Sequence, residues 1–341
     1  MTIEKRGWGK LPDGREVHLF HLDGGAGVTA DISSYGGIIT SLRTPDREGR
    51  TGEIGLGHET LAAYLAKPSF FGALIGRVAN RIRDGRFTLD GKQHRLWVDA
   101  GGIHLHGGEK GFNVKLWDAQ VEGDRLRLDY FSPDGEEHYP GNLKVTVWYE
   151  VKGDSLGIEY EATTDAPTII NLTNHEFFNL NGCTGDILRH ELRIRADSYT
   201  PVDATLLPTG EILPVAGTPM DFTRAKAIGR DLEDIPEGFD HNFVLSRPGS
   251  DTNEPAVEVY DPASGRTLAM FTSEPCVQLY IGNFLDGTDV GIGGKVYHRR
   301  YGFCLEAQKH PDAINHANFA DTVLRPDDKY HQMTVYRFGH K

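Results

Sequence analysis

The sequence predicts an all-β fold, a large antiparallel β-sandwich with a few short helices. Three observations carry this. Successive stretches alternate apolar and polar residues with period two, which gives a strand one face to bury. Gly-Asp or Asp-Gly pairs separate them at 123–124, 134–135 and 153–154, and such pairs close hairpins. Helical spacing is scarce, and no alternation of strands with long helices appears, as a parallel α/β sheet would require.

In chain order, the first strand candidates are 28–32 and 37–42, followed by a short helix at 58–65 and strands at 86–89 and 94–98. The clearest elements come next. Over 125–131, Leu126, Leu128 and Tyr130 oppose Arg125, Arg127 and Asp129. Over 143–151, Leu143, Val145, Val147, Tyr149 and Val151 share one face, with Lys144, Thr146, Trp148 and Glu150 on the other. Residues 156–162 repeat the pattern, so the three read as an antiparallel meander. Further strands are expected at 188–196, 256–260, 267–272, 277–281, 302–306 and 333–338, with a second short helix at 313–319. Many short-spaced strands favour a sandwich. No composition break, Pro/Ser linker or low-complexity run interrupts the chain, so residues 1–341 are expected to form one domain.

Composition narrows the function. A net charge of −13 argues against nucleic acid, which needs clustered Lys and Arg. Cys183, Cys276 and Cys304 are odd in number and widely spaced, which suggests reduced thiols and a cytoplasmic setting. No apolar signal-peptide core opens the sequence, and no run of about 18 apolar residues occurs, so no membrane partner is expected.

The stretch 171–180, Asn-Leu-Thr-Asn-His-Glu-Phe-Phe-Asn-Leu, puts amides, a hydroxyl and an imidazole where a strand core would want aliphatics. Such inconsistency is expected at functional sites. His175 titrates near neutrality and is a candidate catalytic acid. A lone strand histidine is more often structural, but the neighbouring amides could fix its tautomer.

Four other constellations carry chemistry. Residues 76–85 hold Arg77, Asn80, Arg81 and Arg83, and guanidinium groups suit oxygen-rich ligands, although a solvated basic loop would read the same way. Residues 101–108 contain His104 and His106 between glycines. On a strand, two histidines at this spacing share a face and could be metal ligands, but no Cys cluster or H-E-x-x-H motif completes a set, so acid–base or hydrogen-bonding use ranks higher. Asp240, between aromatics after Gly238, could accept from sugar hydroxyls or cap a turn. Glu306 shares a strand face with Gly302 and Cys304, where partial desolvation would raise its pKa toward that of a usable base; a water-facing edge charge is the alternative.

The wording and order of these stretches resemble one family, the aldose 1-epimerases or mutarotases, from about residue 10 onward. The resemblance rests on 76–82, His-Leu-His-Gly-Gly at 104–108, Tyr-Pro-Gly-Asn-Leu at 139–143, 171–180, 201–210, Phe-Asp-His-Asn-Phe at 239–243, 277–284, Leu-Glu-Ala-Gln at 305–308 and 311–316. It implies the galactose mutarotase-like super-sandwich, with no metal and no organic cofactor. It also implies Glu306 as the base at the anomeric hydroxyl, His175 as the acid at the ring oxygen and His106 as a donor beside it. Asn80, Arg81, Asp240 and Gln278 would hold sugar hydroxyls, and Asn171, Asn174 and Asn179 would support the site from behind.

On this reading His175 and Glu306 stand roughly a sugar ring's width apart across the pocket. The expected partner is a free monosaccharide, and the chain is expected to be a monomer or weak homodimer. Two positions depart from the family pattern, His138 before Tyr-Pro-Gly and Ala307 after Glu306. His138 puts a titratable group near a loop that could border the cleft, while Ala307 falls on the strand face opposite Glu306. Two other functions compete. A sugar-binding or sensing protein would not need the full Glu/His/His set. A hexose-phosphate epimerase would need a basic cluster, for which Arg77, Arg81 and Arg83 are the candidates. A glycosidase would need two carboxylates, and only Asp240 could pair with Glu306.

Overall fold

The computed structural model describes residues 2–67, 69–246 and 254–341. Three antiparallel sheets make its frame. The first is a meander of Thr2–Lys10, Glu16–Asp23, Thr29–Ser33, Ile39–Pro45 and Thr51–Glu53. The second has nine strands, ordered Asp118–Glu122, Arg125–Ser132, Leu143–Lys152, Ser155–Thr164, Tyr330–His340, Arg266–Thr272, Val257–Tyr260, Glu191–Ile194 and Lys226–Ala227. The third, which carries the candidate site, runs Leu213–Pro214, Ala196–Thr200, Asp240–Leu245, Cys276–Tyr280 and Cys304–Gln308.

The expected meander is one half of the nine-stranded sheet. Leu128 faces Val147, which faces Tyr160 on the next strand, and Leu126 faces Tyr149, which faces Ile158. All six are buried. Each side chain so buried contributes about 1.5–3 kcal/mol from water exclusion. Gly123 and Gly153, both at φ +59, close two-residue hairpins where a residue with a Cβ would be strained. Asp134-Gly135 instead opens a longer loop, with a short 3₁₀ turn at Glu136–His138, before the strand that begins at Leu143. One continuous core joins the sheets: Phe20 and Leu42 come from the first, Val147, Met270 and Tyr336 from the second, and Phe243, Val277 and Leu305 from the third.

Four expectations need correction. The helix at 58–65 is one and a half turns, Leu61–Ala66, opened by Thr60, whose hydroxyl accepts from the Ala63 N–H. The helix at 313–319 shrinks to a 3₁₀ turn at Ala313–Asn315. The strand at 188–196 splits: Glu191–Ile194 belongs to the nine-stranded sheet and Ala196–Thr200 to the third. Two long strands also escape the alternation rule. Thr2–Lys10 is exposed on both faces, and Glu16–Asp23 buries the adjacent Leu19 and Phe20.

Candidate active site

The third sheet builds its polar face by register. Asp240 pairs with Tyr280 and Tyr280 with Cys304, while Asn242 pairs with Gln278 and Gln278 with Glu306. Directly opposed residues share a face. The other face, with Phe243, Val277, Leu279, Leu305 and Ala307, enters the core. Cys304–Gln308 is the last strand of its sheet. Glu306 is nevertheless only 2% exposed, because the short strand Thr173–His175 packs against it. That strand pairs with Ala73–Ile75 and delivers His175. A water-facing Glu306 is therefore ruled out.

A cavity of about 290 Å³ opens here, lined by Asn80, Arg81, His106, His175, Asp240 and Glu306. Phe70, Phe177, Tyr280 and Phe284 add aromatic walls. Gln278 stands beside the lining and donates its amide to Asp240 Oδ1 at 2.6 Å. Six of the seven residues singled out in the sequence thus border one space, and the seventh holds one of the six. Glu306 Oε2 and Arg81 Nε are buried without a protein hydrogen-bond partner among the described residues. Unpaired polar atoms of this kind mark a place where a polar ligand can bond.

His175 Nε2 lies 3.6 Å from Glu306 Oε1. The two stand side by side, not across a sugar ring as the sequence suggested. The His175 ring is flanked by Phe177 at 5.0 Å and Phe70 at 5.6 Å, both near-parallel to it. Burial pushes His175 down to about 4. Burial, with Asp240 adding to it and Arg81 opposing, holds Glu306 well above the usual carboxylate range. Asp240 is raised by burial against the pull of Arg81 and the Gln278 bond. His106 is pushed far down by burial and by the neighbouring His175 and Arg81.

His106 has a defined tautomer. The Asn80 backbone N–H donates to its Nδ1 at 3.1 Å, and the His106 backbone N–H donates back to the Asn80 carbonyl at 2.9 Å. Nδ1 therefore accepts and Nε2 carries the proton. Both residues hold left-handed backbone, φ +61 at Asn80 and φ +50 at His106, a conformation that concentrates at functional sites. His106, His175 and Glu306 bring donor-type atoms within 4.8 Å of one another. A metal would need the Nε2 lone pair of His106, which the Asn80 bond removes. The lower-ranked reading of His104 and His106 as a ligand pair also fails: His104 Nδ1 donates to the Trp97 carbonyl at 2.6 Å and its Nε2 accepts from Tyr139 at 2.5 Å. His106 leaves the strand for the cavity.

The basic loop divides its labour. Arg77 is 2% exposed and gives its guanidinium to Ser132 and to the carbonyls of Ser132, Pro133, Pro140 and Gly141. Arg83 faces Asp203 and Asp312. Only Arg81 turns to the cavity. The asparagines of 171–180 bond backbone: Asn171 with Lys309, Asn174 with the Gly72 carbonyl, Asn179 with the carbonyls of Gly185 and Tyr301. His138 is exposed and outside the lining, and Ala307 lies in the core behind Glu306. Sequence reasoning missed Phe70, Tyr280 and Phe284. Tyr280 was recoverable from its period-two spacing to Gln278, whereas Phe70 sits in irregular backbone with no periodic signal.

An all-β sandwich whose open polar cavity holds a buried carboxyl and imidazole side by side defines a class, that of proteins able to move protons on a small polar ligand. Comparison with known proteins makes this specific. The family model described as aldose 1-epimerase matches residues 18–337. The chain is 45% identical to galactose mutarotase from Pongo abelii, covering 97% of each chain. It is 38% identical to aldose 1-epimerase from Escherichia coli K12, covering 96% of each. A crystal structure of a GalM/aldose epimerase homologue from C. elegans superposes with a TM-score of 0.88 at 31% identity, covering 94% of this chain and 98% of that one. The chain belongs to the aldose 1-epimerase family.

Proposed function

We propose that the protein is an aldose 1-epimerase that interconverts the α and β anomers of free hexoses such as glucose and galactose. The observation that carries this is the 3.6 Å spacing of the buried Glu306 and His175 at a cavity lined by polar and aromatic side chains. Opening a hemiacetal removes a proton from the anomeric oxygen and delivers one to the ring oxygen. Both oxygens sit on the same carbon, so base and acid must stand side by side.

Glu306 takes the anomeric proton and His175 protonates the ring oxygen. The His106 Nε2–H donates to the ring oxygen or an adjacent hydroxyl. Arg81, Asn80 and Asp240 hold the remaining hydroxyls, and Gln278 fixes the Asp240 carboxylate. The aldehyde turns about its bond to the neighbouring carbon, and reclosure returns each proton by the same two groups. The ion-paired and neutral forms of Glu306 and His175 contain the same number of protons, so one turnover leaves the pair as it began.

Three alternatives lose support. Arg77 and Arg83 are committed within the protein, and Lys67 at the cavity is paired with Asp289, which leaves Arg81 as the one lining cation without a carboxylate ion pair among the described residues to meet a phosphate. Asp240, bound by Gln278, is suited to holding a hydroxyl rather than to serving as a second catalytic carboxylate. A binding protein would need no buried acid–base pair. Polarimetry of freshly dissolved α-D-glucose tests the proposal. Glu306→Gln and His175→Ala should each lower the enzymatic rate by about 10²–10⁴-fold while remaining folded. Near wild-type turnover by Glu306→Gln would remove the base assignment, and sugar binding by the wild type without faster mutarotation would favour the binding protein.

A further inference from the structure

His175 can serve as a proton carrier only if the correct nitrogen exchanges the proton. Nε2 is that nitrogen, since it faces Glu306 at 3.6 Å. Nδ1 must then keep its own proton throughout, or the ring would present a fixed Nε2–H and could not take a proton back. The partner on that side is Cys304, whose Sγ lies 3.4 Å from Nδ1. Cys304 is fully buried, and burial keeps its thiol protonated and neutral.

Strand register makes this contact specific. Cys304 and Glu306 are two positions apart on one strand, so their side chains share a face and meet the two nitrogens of the same imidazole. Phe70 and Phe177 both stack near-parallel to the ring, and its polar contacts are made at its edges. The neighbouring His106 is set the other way, with Nδ1 accepting from Asn80 and Nε2 protonated. We propose that Cys304 is a positioning residue for the reaction, accepting the Nδ1–H of His175 so that Nε2 alone exchanges the proton, while Asn80 locks His106 in the opposite tautomer as a permanent donor. Sulfur is a weak acceptor. It therefore orients the ring without fixing the charge on it, which suits a group that must be protonated and deprotonated in each turnover.

This proposal rests on His175 as the acid, and its test separates the two claims. The tautomer is read in ligand-free protein from the ¹⁵N shifts of the His175 ring, with no reference to catalysis. The wild type and Cys304→Ser should both show Nδ1–H, and Cys304→Ala should shift population toward Nε2–H. In polarimetry, Cys304→Ser should keep kcat within about threefold and Cys304→Ala should lose about tenfold in kcat with KM within twofold. Thermal melting of both variants reports any packing loss. An unprotonated Nδ1 in the wild type, unchanged Nδ1 protonation in Cys304→Ala, or equal kcat losses in the Ser and Ala variants would overturn the proposal. An active His175→Ala would remove the acid assignment instead.

Discussion

Burial alone would make both members of the central pair neutral, pushing His175 down to about 4 and Glu306 up. Attraction between opposite charges 3.6 Å apart favours the ion pair. Both forms hold one proton between them, and the substrate carries it from one group to the other. The pair therefore titrates as a unit. A second proton gives imidazolium beside a carboxylic acid and leaves no base, and loss of the only proton leaves no acid. Since a buried His175 beside a protonated Glu306 gains its proton only near pH 4, the acid limb of kcat should fall there. The alkaline limb should lie well above the ordinary glutamate range, because burial raises Glu306. A broad plateau across neutral pH is the expected profile, measured by polarimetry after subtraction of the spontaneous rate. A midpoint of the acid limb near 6.5 would show that His175 is not desolvated as described.

At the scale of elements, the third sheet aligns its side chains in connected rows. Gln308 donates to Asn242 at 3.0 Å and to Gln278 at 3.4 Å, and Gln278 donates to Asp240. Gln278→Leu would strip Asp240 of this donor, a loss of about 1–3 kcal/mol for an unpaired buried group. The expected result is a KM raised about tenfold with kcat within a few-fold, and a kcat loss matching that of Glu306→Gln would contradict it. The turn that presents His106 is equally constrained. A Cβ on Gly107, at φ +92, would lie 1.8 Å from the Gly76 carbonyl oxygen. Gly107→Ala should therefore displace His106, lowering both the melting temperature and the rate. The regular strands of the nine-stranded sheet were legible because 125–131, 143–151 and 156–162 each bury one face. The three-residue strand Thr173–His175 was not legible as such, since all three residues are buried and no alternation exists to read. His175 was singled out by its polar company, whereas its distance to Glu306 depended on how that strand packs across the third sheet.

Across the whole molecule, sequence patterning recovered the class of fold but not the path between sheets. Arg195 separates strands of two different sheets, and Ser273, Glu274 and Pro275 lie at another such crossing, between Arg266–Thr272 and Cys276–Tyr280. A period-two pattern does not say which sheet a strand joins, because the sheets pack on one continuous core. The second crossing carries a titratable weakness. Glu274 is 4% exposed, and burial raises it from 4.5 to about 7 against the pull of Lys309 and His331. Glu53, at the edge of the first sheet, is raised to about 7 by burial as well. A carboxyl whose folded pKa exceeds its unfolded value binds its proton more tightly in the folded state. Its contribution to stability is complete below the unfolded value of 4.5 and is lost as pH rises through about 7. For Glu274 the full change is about 3 kcal/mol at most. Glu274 should accordingly pull the melting temperature down between pH 5 and pH 8, against the buried histidines, whose folded values near 4 act in the opposite sense up to their unfolded value of 6.5. Glu274→Gln, which carries no charge at either pH, should lack this downward pull and melt higher than the wild type at pH 8. Differential scanning calorimetry at the two pH values decides the matter: parallel slopes for the two proteins would mean that Glu274 is solvated and that the junction between the sheets is more open than its burial indicates.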